Sequence, residues 1–524
     1  MINNTKIDFL KQGFLFFETV NSNFNLILNI ASELIEKHPQ ILDWIKRDQD
    51  KYCKERKRLR VLNKQFEESK TFSLFSESEH NKMYEAINDD EITLDEGRPR
   101  MQPVIVFLFL LFRGYYTSFC KKHSADLLME SISIRSWLTK YGVNEFPGIT
   151  TILENVNMVS NETREKLLTL QCDMVFEEGL DNFKESFVDS TAVAGNTAYP
   201  TDISILYKLV SRSYSNMKKI CELLNLPMSE SYFKEWFSEM KSCVFSLAMG
   251  KLKKPKKKKV CRKLIKLTLK IENRLSKKYN QFHSEVEYIL SGLRPTLRTR
   301  FSKIWEEIKL DLDDSIKVLE YTQGGIIDGK KYKSKDKILS ISDEDVAYII
   351  KGSLRSATIG YKPQLARSKN GIITALELPA GNAPDSQELI PVLKQIIRRT
   401  KTVPEMLSVD DGYSSFHNLK WLEKIGVKTK SFNGINGRRL TSDEDWESEV
   451  YKAARTDRSL IEGLISTLKS VQEFGKSRRR GLENNRAEML EKIIAQNFSR
   501  IGMLCRERRE KEKREALFES RDAA

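Results

Sequence analysis

Three acidic residues are placed to do chemistry: Asp189, Asp410 and Glu462. Asp189 ends the short apolar run Glu185-Ser186-Phe187-Val188, and Asp410 follows the run Glu405 to Val409, so each carboxylate is expected at the tip of a strand. Carboxylate oxygens suit hard divalent cations, Mg²⁺ or Mn²⁺. Two such ions about 3.5–4 Å apart can activate an attacking oxygen and stabilise a leaving one in phosphoryl transfer. Arg458, Glu462 and Lys469 are 4 and 7 residues apart, which at roughly 100° per residue puts them on one helix face. There the two cations can hold phosphates while Glu462 ligates metal. An ordinary i,i+4 ion pair on a solvated face fits the same spacing.

The elements that must position these residues read as a mixed sheet flanked by helices. After the first strand, strand signals cluster at Ile338 to Ser342, Ala347 to Ile350, Ile359 to Ala366 and Gly371 to Leu378, the last pair joined by an Asn370-Gly371 hairpin turn. Asp385 and Glu388 open an amphipathic helix through Ile397, which returns to the strand carrying Asp410. Phe416 to Ile425 then reads as helix and Val427 to Phe432 as strand. Elsewhere the pattern is helical. Apolar residues Phe14, Phe17, Ile27, Ile30, Leu34 and Ile35 precede a basic stretch, Lys46 to Lys64. A second helical region, Arg98 to Leu180, breaks at Phe146-Pro147-Gly148. Ile203 to Val318 reads as a helical insertion that includes the lysine run Lys251 to Lys259. The charged stretch Arg506 to Arg514 ends the chain as a helix, and Asp202 is expected to cap the helix that begins near Ile203.

At 524 residues the chain exceeds what one core supports, and 40% hydrophobic residues are too many for a disordered chain. Lys and Arg outnumber acids 88 to 73, and a formal charge of +15 makes a polyanion the leading partner, although such a charge also serves solubility. The lysine run and Lys476, Arg478, Arg479 and Arg480 are the candidate phosphate contacts besides Arg458 and Lys469. A solvated face explains the lysine run equally well. Seven scattered cysteines without a CxxC pair argue against zinc ribbons and disulfide frameworks. The five histidines lack HxxxH spacing, and neither a Walker-type phosphate loop nor a GxGxxG is present, so no nucleotide cofactor is expected. The longest apolar run, Val104 to Phe112, cannot span a bilayer and the start has no signal core, which leads to an expected cytoplasmic location.

Phe187-Val188-Asp189-Ser190-Thr191, with Asn196 and Tyr199-Pro200-Thr201-Asp202, resembles the first-aspartate region of bacterial insertion-sequence DDE transposases. Asp410-Asp411-Gly412-Tyr413 is similar to their second-aspartate motif, and Arg458-x3-Glu462-x6-Lys469 to their third-acid helix. Gly360-Tyr361-Lys362, Gly381-Asn382 and Asp385 also match, so the resemblance covers about 98–202 and 335–502. Arg455 stands where the family has a tyrosine.

The resemblance implies an RNase H-like α/β core, residues 181–202 and 335–500, with two Mg²⁺ or Mn²⁺ ions on Asp189, Asp410 and Glu462. Asp410 rather than Asp411 takes the family's acid position. Around that core the helical patterns give a module over 1–97, a region over 98–180 to which the resemblance assigns binding of DNA ends, an insertion over 203–334 and a charged tail over 501–524. It further implies water-driven cleavage at transposon ends and attack of the freed 3′-hydroxyl on target DNA, by at least two copies of the chain, in a bacterial cytoplasm at the nucleoid. A transposase-derived DNA-binding protein without activity, and a metal-dependent nuclease without strand transfer, are the competing readings.

Overall fold

The computed structural model describes residues 23–68, 100–116, 131–143, 148–197, 201–228, 231–249, 251–350 and 357–522. Phe14, Phe17, the Phe146-Pro147 break and Tyr199-Pro200 lie outside the described residues. The chain divides into two compact units, one of Met1–Asp50, Arg98–Asn196 and Ile349–Ala524, the other of Lys51–Gly97 and Thr197–Tyr348.

Helices come first along the chain: α1 (Asn23–Lys37), α2 (Gln40–Glu68), α3 (Pro103–Tyr115), α4 (Ile132–Thr139), α5 (Ile149–Met158) and α6 (Asn161–Glu177). Pro103 starts α3, where its missing N–H costs nothing. Every residue from Val104 to Phe112 is buried, so the most apolar run of the sequence is a core helix. Among the described residues no helix is long and apolar enough to cross a membrane. Strands β1 (Glu185–Ser190) and β2 (Val193–Ala194) follow.

The second unit holds α7 (Asp202–Leu223), α8 (Ser231–Met249), α9 (Lys254–His283), α10 (Val286–Ser291) and α11 (Pro295–Gln323). They share a core that includes Leu206, Leu209, Ile220, Leu264, Phe301 and Ile308. Thr201, not Asp202, caps α7: its hydroxyl accepts from the Ser204 N–H while the Ser204 hydroxyl accepts from the Thr201 N–H. Asp202 is already in the first turn and pairs with Lys337 at 2.8 Å. The strand expected at Ile338–Ser342 is irregular chain. Ser340 Oγ accepts from the N–H groups of Ser342 and Asp343, local bonds that compete with a ladder. The next strand is β3 (Ala347–Ile350).

The chain continues in the first unit through β4 (Ala357–Tyr361), β5 (Gln364–Ser368), β6 (Ile373–Glu377), α12 (Asp385–Thr400), β7 (Met406–Asp410), α13 (Phe416–Ile425) and β8 (Thr429–Asn433). The expected α/β class with a mixed sheet is observed: five strands in the order β6-β5-β1-β7-β8. β1 runs parallel to β7 and β7 to β8, while β5 is antiparallel to β1 and β6. Asn370-Gly371 does turn β5 into β6, with Gly371 at φ 93°. Leu389, Val392, Leu393 and Ile396 of α12 pack on Val188, Ala366, Leu407 and Val409 of the sheet.

Helices α14 (Ile435–Leu440), α15 (Asp443–Glu447), α16 (Glu449–Asp457), α17 (Ser459–Val471) and α18 (Leu482–Asp522) complete the unit. The charged tail is the end of α18, a helix of 41 residues whose N-terminal half is buried against α1, α3 and α6. Asn497 donates to the Ile373 carbonyl and accepts from its N–H, covering part of the β6 edge. α3 and α18 touch at Gly114, where an added Cβ would lie 2.2 Å from the Glu491 carbonyl oxygen. Gly114→Ala is therefore expected to cost about 1–3 kcal/mol through overpacking, read as a lower urea midpoint.

Candidate active site

The parallel register of β1 and β7 sets Val188 beside Val409, which brings the next residues, Asp189 and Asp410, to adjacent strand tips. Asp189 is buried, and one of its oxygens accepts from the Ser190 N–H at 2.7 Å. Asp410 and Glu462 are exposed by about half of their side chains, 49% and 52%, so two of the three acids are open to an incoming group.

All three face one guanidinium. Arg458 Nη1 lies 3.8 Å from Asp189 Oδ2 and 3.9 Å from Asp410 Oδ1, and Nη2 donates to Glu462 Oε1 at 2.5 Å. The i,i+4 pair between Arg458 and Glu462 is thus real and also reaches both aspartates. Among the described residues no three carboxylates stand close enough together to hold a metal ion as they are. The donor set is nonetheless made of hard oxygens gathered round a cation, the chemistry that Mg²⁺ or Mn²⁺ requires.

The third-acid helix α17 and α16 just before it are held over the sheet by several bonds. Arg367 Nη1 of β5 donates to the Leu460 carbonyl at 2.8 Å, and Lys369 pairs with Asp457 and, at 3.2 Å, with Glu185. Ser408 Oγ of β7 donates to the Ala454 carbonyl at 2.8 Å, and Tyr451 Oη accepts from the Phe432 N–H of β8 at 3.0 Å. Arg455 lies over the Trp446 ring at 4.1 Å and the Tyr451 ring at 5.5 Å, so here a cation stacks on the aromatic pair.

Asp411 is committed elsewhere. Its carboxylate accepts from the Gly437 N–H at 2.9 Å, Asn436 Nδ2 at 3.0 Å and Ser414 Oγ at 3.2 Å. Gly434, at φ 131°, lies so near that a Cβ there would be 2.5 Å from Asp411. Asp411 ties the turn after β7 to the start of α14, and Asp410 alone of the pair reaches Arg458.

No local signal predicts the buried polar chain beside Asp189. Tyr413 Oη donates to Gln364 Oε1, Gln364 Nε2 donates to Asp385 Oδ1 at 2.9 Å, and Lys362 pairs with Asp385 at 2.9 Å. Burial, then the charges of Asp385 and Asp189, push the Tyr413 hydroxyl well above its ordinary value, so it stays a donor. The pattern Tyr361-Lys362 with Asp385 and Gly412-Tyr413 is visible in the residues, but no contact can be assigned to it without the fold.

The candidate phosphate contacts fare differently. Lys469 is exposed in the last turn of α17. Lys476, Arg478 and Arg480 are placed on a turn held by backbone bonds to β2, from Ala194 N–H to the Gly475 carbonyl and from Ser477 N–H to the Ala194 carbonyl. Asn196 Nδ2 donates to the Arg478 carbonyl at 2.7 Å and Arg480 Nε donates to the Asn196 carbonyl at 3.2 Å. The turn is thereby anchored to the segment that leaves the Asp189 strand. Arg478 pairs with Glu473 at 2.7 Å. Arg479 points inward to Glu491 at 2.8 Å, a carboxylate that also receives Arg113 and Arg164, both at 2.6 Å. The lysine run 251–259 belongs to the second unit.

No curated protein and no solved structure matches the chain significantly. Residues 323–498, which carry Asp410, Arg458 and Glu462, match the family model of the transposase DDE domain, and this match supports a DDE transposase.

Proposed function

We propose that this chain is a DNA transposase of the insertion-sequence DDE type, with an RNase H-like core, that cleaves transposon ends and joins them to target DNA. The observation that carries this reading is the convergence of Asp189, Asp410 and Glu462 on one cation, Arg458, at the C-terminal ends of two interior strands of a mixed sheet. Asp189, Asp410 and Glu462 would hold two Mg²⁺ or Mn²⁺ ions, which when bound supply charge stabilisation for in-line displacement at phosphorus. Arg458 keeps the acids compensated until then and, once released, has a planar fork suited to phosphate. Lys469 and the turn with Lys476, Arg478 and Arg480 are proposed to neutralise the DNA backbone, whereas Arg479 is turned inward to Glu491. The helices of 98–180 are proposed to bind the ends, and two or more copies to pair them.

The deciding experiment incubates the protein with DNA carrying the element's ends and a target plasmid, with Mg²⁺ or with EDTA. Joined products that require Mg²⁺ are expected. Binding without cutting would leave a DNA-binding protein, and cutting without joining a nuclease.

Because Arg458 stands among the acids, Arg458→Gln is expected to bind Mn²⁺ about tenfold more tightly than the unaltered chain in the absence of DNA, by calorimetric titration. Equal affinities would show that the guanidinium does not compete for these carboxylates.

A further inference from the structure

Charge in the second unit is concentrated on one helix. α9 carries twelve Lys and Arg against a single acid, Glu272, and Glu272 is buried. α11, which is of similar length in the same unit, carries five basic and six acidic residues. Most of the chain's formal charge of +15 therefore resides in α9. Lys259, Arg262, Lys266, Lys270 and Lys277 are all exposed and recur at spacings of 3, 4, 4 and 7, which makes one stripe opposite the buried Cys261, Leu264, Thr268 and Leu275. At 1.5 Å per residue the stripe runs about 27 Å, roughly three quarters of a turn of duplex DNA.

The helix gains nothing from this arrangement by itself. Lys254 and Lys256 to Lys259 stand at its N-terminus with no acid in the first turn, the end at which the helix dipole disfavours cations. Along the stripe itself, Arg262 and Lys266, and Lys266 and Lys270, are like-charged i,i+4 neighbours, a spacing that destabilises an isolated helix.

A solvated helix in the same protein looks different: the end of α18 is laced by Arg506–Glu510, Arg508–Glu512 and Lys511–Glu515 pairs. On α9, Lys263 pairs with Glu239 at 2.9 Å and Lys270 stacks over Trp236 at 4.0 Å. Among the described residues Lys259, Arg262, Lys266 and Lys277 make no ion pair.

We infer that this stripe of α9 is a second, sequence-independent binding face for the sugar-phosphate backbone of duplex DNA, carried by the second unit. The inference rests on the reading of the chain as one that acts on DNA. Cations that recur along one helix face, with Asn273 in the gap between Lys270 and Lys277, match the regular array of phosphates, and contacts to phosphates position a duplex without reading its sequence.

The test compares the full chain with the variant Lys259→Gln, Arg262→Gln, Lys266→Gln, Lys277→Gln, in which glutamine keeps helix propensity and touches no core residue. Binding to a 30-base-pair duplex of arbitrary sequence is followed by fluorescence anisotropy in EDTA over a salt series. The variant is expected to bind roughly tenfold more weakly or worse, with the slope of log K against log salt flatter by about 3. In parallel, the duplex should protect these four positions of the unaltered chain from acetylation or arginine-specific modification. Unchanged affinity, slope and labelling, with duplex still bound, overturn the α9 face alone. An unaltered chain that binds no duplex at all overturns the DNA reading with it. Stronger dependence on these residues for anionic vesicles than for duplex would overturn the proposal in favour of a membrane surface.

Discussion

Asp189→Asn, Asp410→Asn and Glu462→Gln are each expected to lower Mg²⁺-dependent cleavage and joining by about 10³-fold or more, the loss of roughly 4 kcal/mol of charge stabilisation. Each substitution keeps the shape of the side chain and removes one charge from a set that already meets at a single guanidinium. Duplex binding should survive, since it depends on cations elsewhere. Asp411→Asn supplies the contrast. Its carboxylate is occupied by Gly437, Asn436 and Ser414, so the variant should lose thermal stability and retain far more activity than Asp410→Asn. Wild-type joining by Asp410→Asn would remove the triad from the mechanism.

The second large effect is structural. Glu491→Gln should destabilise the first unit by about 3–5 kcal/mol, because it leaves three buried or half-buried arginines without their shared anion. Glu491 of α18 links Arg113 of α3, Arg164 of α6 and Arg479 of the basic turn, so one carboxylate joins three parts of the unit. Burial alone would raise the Glu491 carboxyl, but Arg113, Arg479 and Arg164 outweigh it and hold the group well below its ordinary 4.5. Burial in turn lowers the Arg113 guanidinium to about 10. The sign of the pH dependence follows from the depressed folded value: the stabilisation is complete above about pH 4.5 and is lost as pH falls toward the folded value. Urea midpoints followed through the buried Trp137 should therefore drop below pH 4.5 in the unaltered chain and change less there in Glu491→Gln. A midpoint unaltered by the substitution at about pH 7 would mean that the cluster contributes no net stability.

Much of the local structure is legible in the residues. The Asn370-Gly371 turn, the helix opening at Asp385 and the strand ending at Asp410 follow from turn chemistry, capping and alternation, which act over a few residues. Within a helix, the Arg458 and Glu462 spacing is equally plain. What local signals do not supply is any partner far along the chain. Arg479 reads as one of four like cations in a basic cluster, yet only the crossing of α3, α6 and α18 at Glu491 turns it inward. The strand expected at Ile338–Ser342 is apolar enough, but Ser340 satisfies neighbouring N–H groups first.

By itself, the sequence determined which carboxylates could bind hard cations, which elements carry them and that the chain is basic, because those properties reside in side-chain chemistry and short-range periodicity. Tertiary structure alone decided that Asp189 and Asp410, more than 200 residues apart, sit side by side. It also decided that Arg458 faces both of them and that Asp411 does not. Strand register and burial made those choices, since pairing Val188 with Val409 buries both valines in the α12-covered core and sets Asp189 beside Asp410 near the C-terminal ends of two interior strands.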